Sequence, residues 1–170
     1  MREVCQPILF AIGEEKKALI TYLRFAYQTK NPKGKDMFIR LAMDEFEHME
    51  GLSAELISLE RKDQWCPYEI PVSEVENLVP RLSGKEIETE GEKGVDDLTA
   101  LRVALKLEES AIKFYRGEKN KAEDEFARKF WQRLEEMEIA HYDLIQAEID
   151  NITKTGFWFG IREFTVEGER

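Results

Sequence analysis

The chain has 170 residues, 42% of them hydrophobic and 35% charged, with a formal net charge of −10. This predicts a single soluble globular domain, and the acidity argues against nucleic acid and anionic membrane as partners. No apolar run nears the roughly 20 residues of a membrane helix, and Met1 to Pro7 shows none of the regions of a signal peptide, so no targeting segment is expected.

The first predicted helix runs from about Cys5 to Thr29, where Ile8, Ile12, Leu19, Tyr22, Leu23 and Ala26 recur at helical spacing. Asn31-Pro32-Lys33-Gly34 breaks it with turn chemistry. A second helix runs from about Lys35 to Arg61, with Phe38, Leu41, Met43, Phe46, Met49, Leu52, Leu56 and Leu59 on its inner side. The short link makes the pair antiparallel neighbours, each roughly 35–40 Å long at 1.5 Å per residue. From about Lys62 to Val95 the chain is rich in proline and glycine. This stretch is too long for an ordinary bundle loop and long enough to travel the height of a bundle, with one or two helical turns expected after Ser73. Asp96 or Asp97 is placed to cap a third helix, about Asp97 to Asn120. A fourth runs from about Asp124 to Ile152. The tail, Thr153 to Arg170, contains Gly156-Phe157-Trp158-Phe159-Gly160 and is too aromatic for solvent. It is expected to pack on the bundle or on a second subunit. The expected fold is all-α: an antiparallel four-helix bundle with one long crossover between helices two and three.

The two halves match at a constant offset of 93 residues. Ala11 maps to Ala104, Glu15 to Glu108, Ala18 to Ala111 and Tyr22 to Tyr115. Arg40 maps to Arg133, Leu41 to Leu134, Glu45 to Glu138 and His48 to His141, and Ala54-Glu55 maps to Ala147-Glu148. No insertion interrupts the match. The simplest reading is two copies of a helix pair related by a pseudo-twofold axis.

Both histidines of the chain sit in Glu-x-x-His, as Glu45-Phe46-Glu47-His48 and Glu138-Ile139-Ala140-His141. On a helix, positions i and i+3 share a face, so each Glu and His can point at one centre. Each motif has a glutamate 30 residues upstream in the partner helix, Glu15 and Glu108. Both lie on apolar stripes, where a carboxylate is costly unless paired, protonated or bound to metal. The four carboxylates carry four negative charges, which two divalent ions would cancel. Four carboxylates and two imidazoles suit iron or manganese. One Glu from each of two helices and Glu-x-x-His from each of the other two is the ligand pattern of di-metal carboxylate bundles.

On these residues the sequence resembles the rubrerythrin branch of the ferritin-like superfamily. The resemblance covers the four helices and rests on Ala11-Ile12, Glu15 and Tyr22 with Glu45 and His48, and on Ala104-Leu105, Glu108 and Tyr115 with Glu138 and His141. It implies that Glu45 and Glu138 bridge two irons per chain, with manganese or zinc as alternatives in a purified sample. Glu15 and His48 are then terminal on one iron, Glu108 and His141 on the other. Two departures stand out. The rubredoxin-like domain with two CxxC pairs is missing, so electrons must come from a separate donor such as a rubredoxin-like protein. The extra carboxylate one turn before the third-helix glutamate is also missing, since Leu105 stands there with Ile12 as its mate. The site is similar to the symmetric six-ligand form of bacterioferritin.

The resemblance implies a di-iron redox protein that reduces hydrogen peroxide or dioxygen; a homodimer is expected, and the cysteine usage makes the cytoplasm the default compartment. The runner-up is an iron-binding or storage protein with ferroxidase activity. A substrate oxygenase on the same bundle would need an apolar channel to the site, and no sequence feature demands one. Tyr22 and Tyr115, two turns past the ligand glutamates, are expected to hydrogen-bond ligand carboxylates. Arg40 and Arg133 are expected to pair with carboxylates near the site or at the surface. Glu47, Glu50, Glu135 and Glu136 are read mostly as a solvated face, with one of them able to serve iron entry. Cys5 and Cys66 form no CxxC pair and are read as small core residues in a reducing compartment.

Overall fold

A computed structural model describes residues 3–67, 70–71, 73, 75–76 and 97–159. Four helices account for most of them: α1 (Cys5–Gln28), α2 (Pro32–Lys62), α3 (Leu98–Lys121) and α4 (Glu125–Thr155). α1 packs along α2 and α3 along α4, and α1 meets α3 over a shorter stretch. The result is an all-α four-helix bundle made of two helix hairpins. Among the described residues no helix is long and apolar enough to cross a membrane.

The boundaries obey local chemistry. α1 ends at Thr29, whose backbone N–H still reaches the Phe25 carbonyl. α2 begins earlier than expected. Asn31 caps it by accepting from Lys33 N at 2.9 Å, and Pro32 occupies the first helical position, where its missing N–H costs nothing. Asp124 caps α4 through Ala127 N at 2.9 Å. Gly156, at φ 80°, ends α4 in the left-handed conformation that glycine adopts without strain. Asp97 makes no capping hydrogen bond to α3. Its carboxylate is engaged elsewhere, accepting from Thr29 Oγ1 at 2.6 Å and from Trp158 Nε1 at 3.0 Å. Asp96 lies outside the described residues.

The crossover is described only in part. Ser73 and Glu76 cap one another reciprocally, Glu76 N donating to Ser73 Oγ at 3.1 Å and Ser73 N to Glu76 Oε2 at 2.9 Å. Arg133 of α4 clamps Glu76, with Nη2–Oε2 at 2.7 Å, and donates to the Pro71 carbonyl at 3.1 Å. The expected helical turn after Ser73 starts at Val75, and residues 77–96 lie outside the described residues.

Two apolar clusters fill the bundle. One gathers Tyr22, Phe38, Leu41, Leu101, Leu144 and Trp158. The other gathers Ile8, Leu52, Tyr115, Trp131, Leu134 and Met137. Three sequence assignments to the inner face need correction. Met43 and Phe46 of α2 are 61% and 52% exposed, and Leu23 of α1 is 50% exposed. With Glu45 turned inward, Met43 and Phe46 fall 200° and 100° away from it around the helix at 100° per residue, so both face out.

The tail packs on its own bundle. Trp158 and Phe159 are buried in the first cluster. A Cβ on Gly34 would stand 2.7 Å from the Trp158 ring, so glycine alone fits there. Phe159 N donates to Glu148 Oε1 at 3.0 Å. The segment after α2 does the same, with Cys66 N donating to Glu55 Oε2 at 3.0 Å. Glu55 and Glu148, Trp65 and Trp158, and Cys66 and Phe159 all stand 93 residues apart. The repeat therefore runs on past the helices, through the strap at the end of each hairpin. Gly160 to Arg170 lie outside the described residues.

Candidate metal centre

Each helix sends its acidic residue to one level between the two apolar clusters. α1 supplies Glu15, α2 supplies Glu45 and His48, α3 supplies Glu108, and α4 supplies Glu138 and His141. All six are buried. Their donor atoms form two overlapping sets, Glu15, Glu45, His48 and Glu138 in one, Glu45, Glu108, Glu138 and His141 in the other. Within each set one atom from every residue lies within 4.8 Å of the rest. Glu45 and Glu138 belong to both. His48 Nδ1 stands 3.0 Å from Glu45 Oε2 and 3.0 Å from Glu138 Oε1, with Glu15 Oε2 at 3.5 Å. His141 Nδ1 stands 3.5 Å from Glu45 Oε1, 3.5 Å from Glu138 Oε2 and 3.7 Å from Glu108 Oε2.

These atoms are close without being bonded to each other. Both oxygens of Glu45, Oε1 of Glu138, both ring nitrogens of His48 and Nδ1 of His141 have no hydrogen-bond partner among the described residues, although fully buried. Buried polar atoms are ordinarily satisfied. Five of them, all but His48 Nε2, converge on one level of the bundle and are what a cation between them would satisfy, so the residues fit a metal site. Electrostatics point the same way. Burial, with the charges of Glu45 and Glu138 added, pushes the Glu15 carboxyl well above the usual range, and burial with the Glu138 charge does the same to Glu108. At Glu138 burial is outweighed by hydrogen bonding to Glu108 and by the His48 charge, so its carboxyl falls well below the usual range. A shared positive charge would relieve the two raised carboxyls, Glu15 and Glu108.

The outer glutamates are held across the seam rather than along their own helix. Tyr22 of α1 donates its hydroxyl to Glu108 Oε1, and Tyr115 of α3 donates to Glu15 Oε1. Burial and the adjacent carboxylate raise both phenol pKa values, so these hydroxyls keep their protons. Each tyrosine thus supports the half-site opposite to its own.

One contact breaks the twofold symmetry and was not read from the sequence. Asp44 Oδ2 lies 3.0 Å from His141 Nε2, leaving Nδ1 to face the centre. His48 Nε2 has no hydrogen-bond partner, and the repeat mate of Asp44 is Met137, which offers no oxygen. The signal was an aspartate beside the shared glutamate in one half and an apolar residue in the other.

A family profile described as Rubrerythrin matches residues 8–149. The chain belongs to the rubrerythrin family. Rubrerythrin membership and the buried carboxylate–histidine cluster together fit a di-iron site. A hypothetical protein from Pyrococcus furiosus has a similar fold, with a TM-score of 0.68 at 23% identity over 92% of this chain and 94% of that one. No curated protein sequence matches the chain.

The remaining candidates serve the scaffold of this rubrerythrin-family domain. Arg40 reaches Asp36 one turn back at 2.8 Å, and Arg133 holds Glu76. Glu50 and Glu136 are exposed and Glu47 half-buried, as a solvated face requires. Glu135 is different: it is buried and binds Arg116 Nε at 2.6 Å and Lys119 Nζ, tying α3 to α4. Cys5 is buried. Cys66 is half-buried, and burial with the neighbouring Glu55 raises its thiol pKa, which makes it a poor nucleophile.

Proposed function

We propose that the chain holds two iron ions and reduces hydrogen peroxide, or dioxygen, with electrons from a separate donor such as a rubredoxin-like protein. The observation that carries this reading is the double membership of Glu45 and Glu138, each of which offers oxygens to both histidine sets. When bound, a ferrous pair supplies two electrons to one oxidant molecule, which with two protons cleaves peroxide to two waters. Glu45 and Glu138, which belong to both donor sets, would each offer oxygens to both ions. Glu15 with His48, and Glu108 with His141, complete the two ends. Tyr115 and Tyr22 hold the outer carboxylates in orientation through the hydroxyl contacts described above. Asp44 accepts from His141 Nε2 and so presents Nδ1 inward.

The working form in this proposal is a cytoplasmic homodimer. Ile39, Met43, Phe46 and Ile57 lie exposed along one narrow stripe of α2 that Glu50 also occupies, and its apolar positions support a second copy of the chain as their cover.

The test is stopped-flow absorbance of anaerobic protein loaded with two ferrous ions per chain, mixed with peroxide or with oxygenated buffer. An oxo-bridged diferric band that forms much faster with peroxide is the expected result. Equal rates with continued iron consumption would instead make iron the substrate, as in a ferroxidase. Unchanged metal content and turnover in Glu45→Ala or His48→Ala would sink the di-iron reading itself.

A further inference from the structure

Between α1 and α3 lies a cavity of about 470 Å³. Its walls are largely apolar, with Phe10, Ala11 and Ala18 from α1 and Leu107, Ala111 and Phe114 from α3. Four carboxylates of the metal centre, Glu15, Glu45, Glu108 and Glu138, line its inner end. The volume equals that of about fifteen molecules in liquid water. A peroxide or dioxygen molecule needs far less, and the size falls among pockets that take organic ligands.

The opening arises from differences between the two halves. At one end of the α1–α3 seam, Thr29 and Trp158 both donate to Asp97 and tie the helices together. The positions 93 residues away from Thr29 and Asp97 are Ala122 and Val4, which have no polar side-chain atom to make such a tie. The cavity lies at this untied end. Phe10 and Phe114 meet across it with ring centroids 4.9 Å apart, a contact that can part without breaking a hydrogen bond. Small side chains at Ala11, Ala18 and Ala111 leave the space behind them. Of the outer lining charges Glu14 is matched by Lys17 and Glu118 by Lys121, Lys113 has no ion pair among the described residues, and the four inner carboxylates repel an anionic guest.

We propose that this cavity binds a neutral, largely apolar organic molecule whose inner end lies against the carboxylates of the metal centre. The placement of that inner end beside metal rests on the di-iron reading, whereas the binding does not. A guest seated there stands between solvent and Glu15 and Glu108, so it governs what reaches them.

The experiment titrates N-phenyl-1-naphthylamine, a neutral apolar fluorophore, into protein loaded with manganese(II) or zinc(II), then displaces it with 1-octanol. Saturable binding at one site, displaced by the alcohol, is expected in both. Ala111→Trp fills the cavity from one wall and Ala18→Phe from the other. Either variant, once shown by circular dichroism and metal analysis to be folded and loaded, should weaken binding about tenfold or more. Proton lines of 1-octanol should broaden with the paramagnetic manganese protein and stay sharp with the zinc protein. Absence of saturable binding overturns the proposal, as does binding that neither variant weakens. Binding without manganese broadening also overturns it, because the guest then sits away from the centre. Protein that takes up no metal at all refutes the di-iron reading, and the fluorophore with the two variants then decides the pocket alone.

Discussion

Asp44→Ala should weaken one metal position and spare the other. Asp44 is buried and lies 3.0 Å from His141 Nε2, whereas His48 Nε2 has no such partner. Removing the carboxylate frees the His141 ring to turn and leaves its outer nitrogen unsatisfied. Loss of such a supporting contact costs about 10–100-fold in metal affinity, or about 1.4–2.7 kcal/mol. Only the position served by His141 should lose it. The assay is isothermal titration with zinc(II) or cobalt(II) against a competing chelator, read as two binding steps per chain. The variant should show one step shifted by about one to two decades and the other unmoved. Asp44→Asn keeps an acceptor oxygen and should fall between the two. Equal weakening of both steps, or no change in either, would refute the idea that the two halves of the site are held differently.

Tyr115→Phe leaves a buried oxygen of Glu15 without its donor and should cost about 1–3 kcal/mol in urea unfolding, with Tyr22→Phe doing the same at Glu108; wild-type stability in both would show that the hydroxyls carry no weight. Gly34→Ala should destabilise by about 1–3 kcal/mol and shift Trp158 fluorescence, because the added carbon meets the ring at 2.7 Å. Gly13→Ala, where a Cβ meets nothing within 4 Å, should instead stabilise α1 by about 0.5–1 kcal/mol. Burial raises the Glu148 carboxyl from its ordinary 4.5 to about 8. The folded chain keeps that proton where the unfolded chain loses it, so the contribution is full below 4.5 and is lost as pH rises toward 8. Glu148→Gln keeps an oxygen for Phe159 N and should flatten this fall by up to a few kcal/mol; identical urea midpoints against pH in both proteins would count against it.

Much of the bundle was legible because its signals are repeated. Two Glu-x-x-His motifs, two upstream glutamates and one offset specify four helices and bring six side chains to one place. What escaped has physical reasons. Met43 and Phe46 are apolar and near the motif, but hydrophobicity alone does not say which way a residue faces on a helix whose inner stripe holds charge. Asp97 had the chemistry of a cap, and tertiary partners from α1 and the tail took its oxygen instead. Glu135 looked solvated because its cations, Arg116 and Lys119, come from another helix. The tail was legible in principle, since Trp65 and Trp158 share the offset of the two Glu-x-x-His motifs. The helical periodicity used to find the match ends before them.

The strap at the end of each hairpin bears on ancestry. A hairpin with its own cap, its own glutamate clasp and its own tryptophan is a complete building block, and the chain contains it twice. Duplication and fusion of a gene for one such hairpin accounts for the shared offset, and the ancestor would have assembled as a dimer of identical hairpins. In such a dimer every substitution would alter both halves of the site at once, a constraint that fusion would remove. Aspartate at 44 and methionine at 137, or the Thr29–Asp97 tie and its absent counterpart, are divergences that only a joined pair of hairpins could accumulate one side at a time.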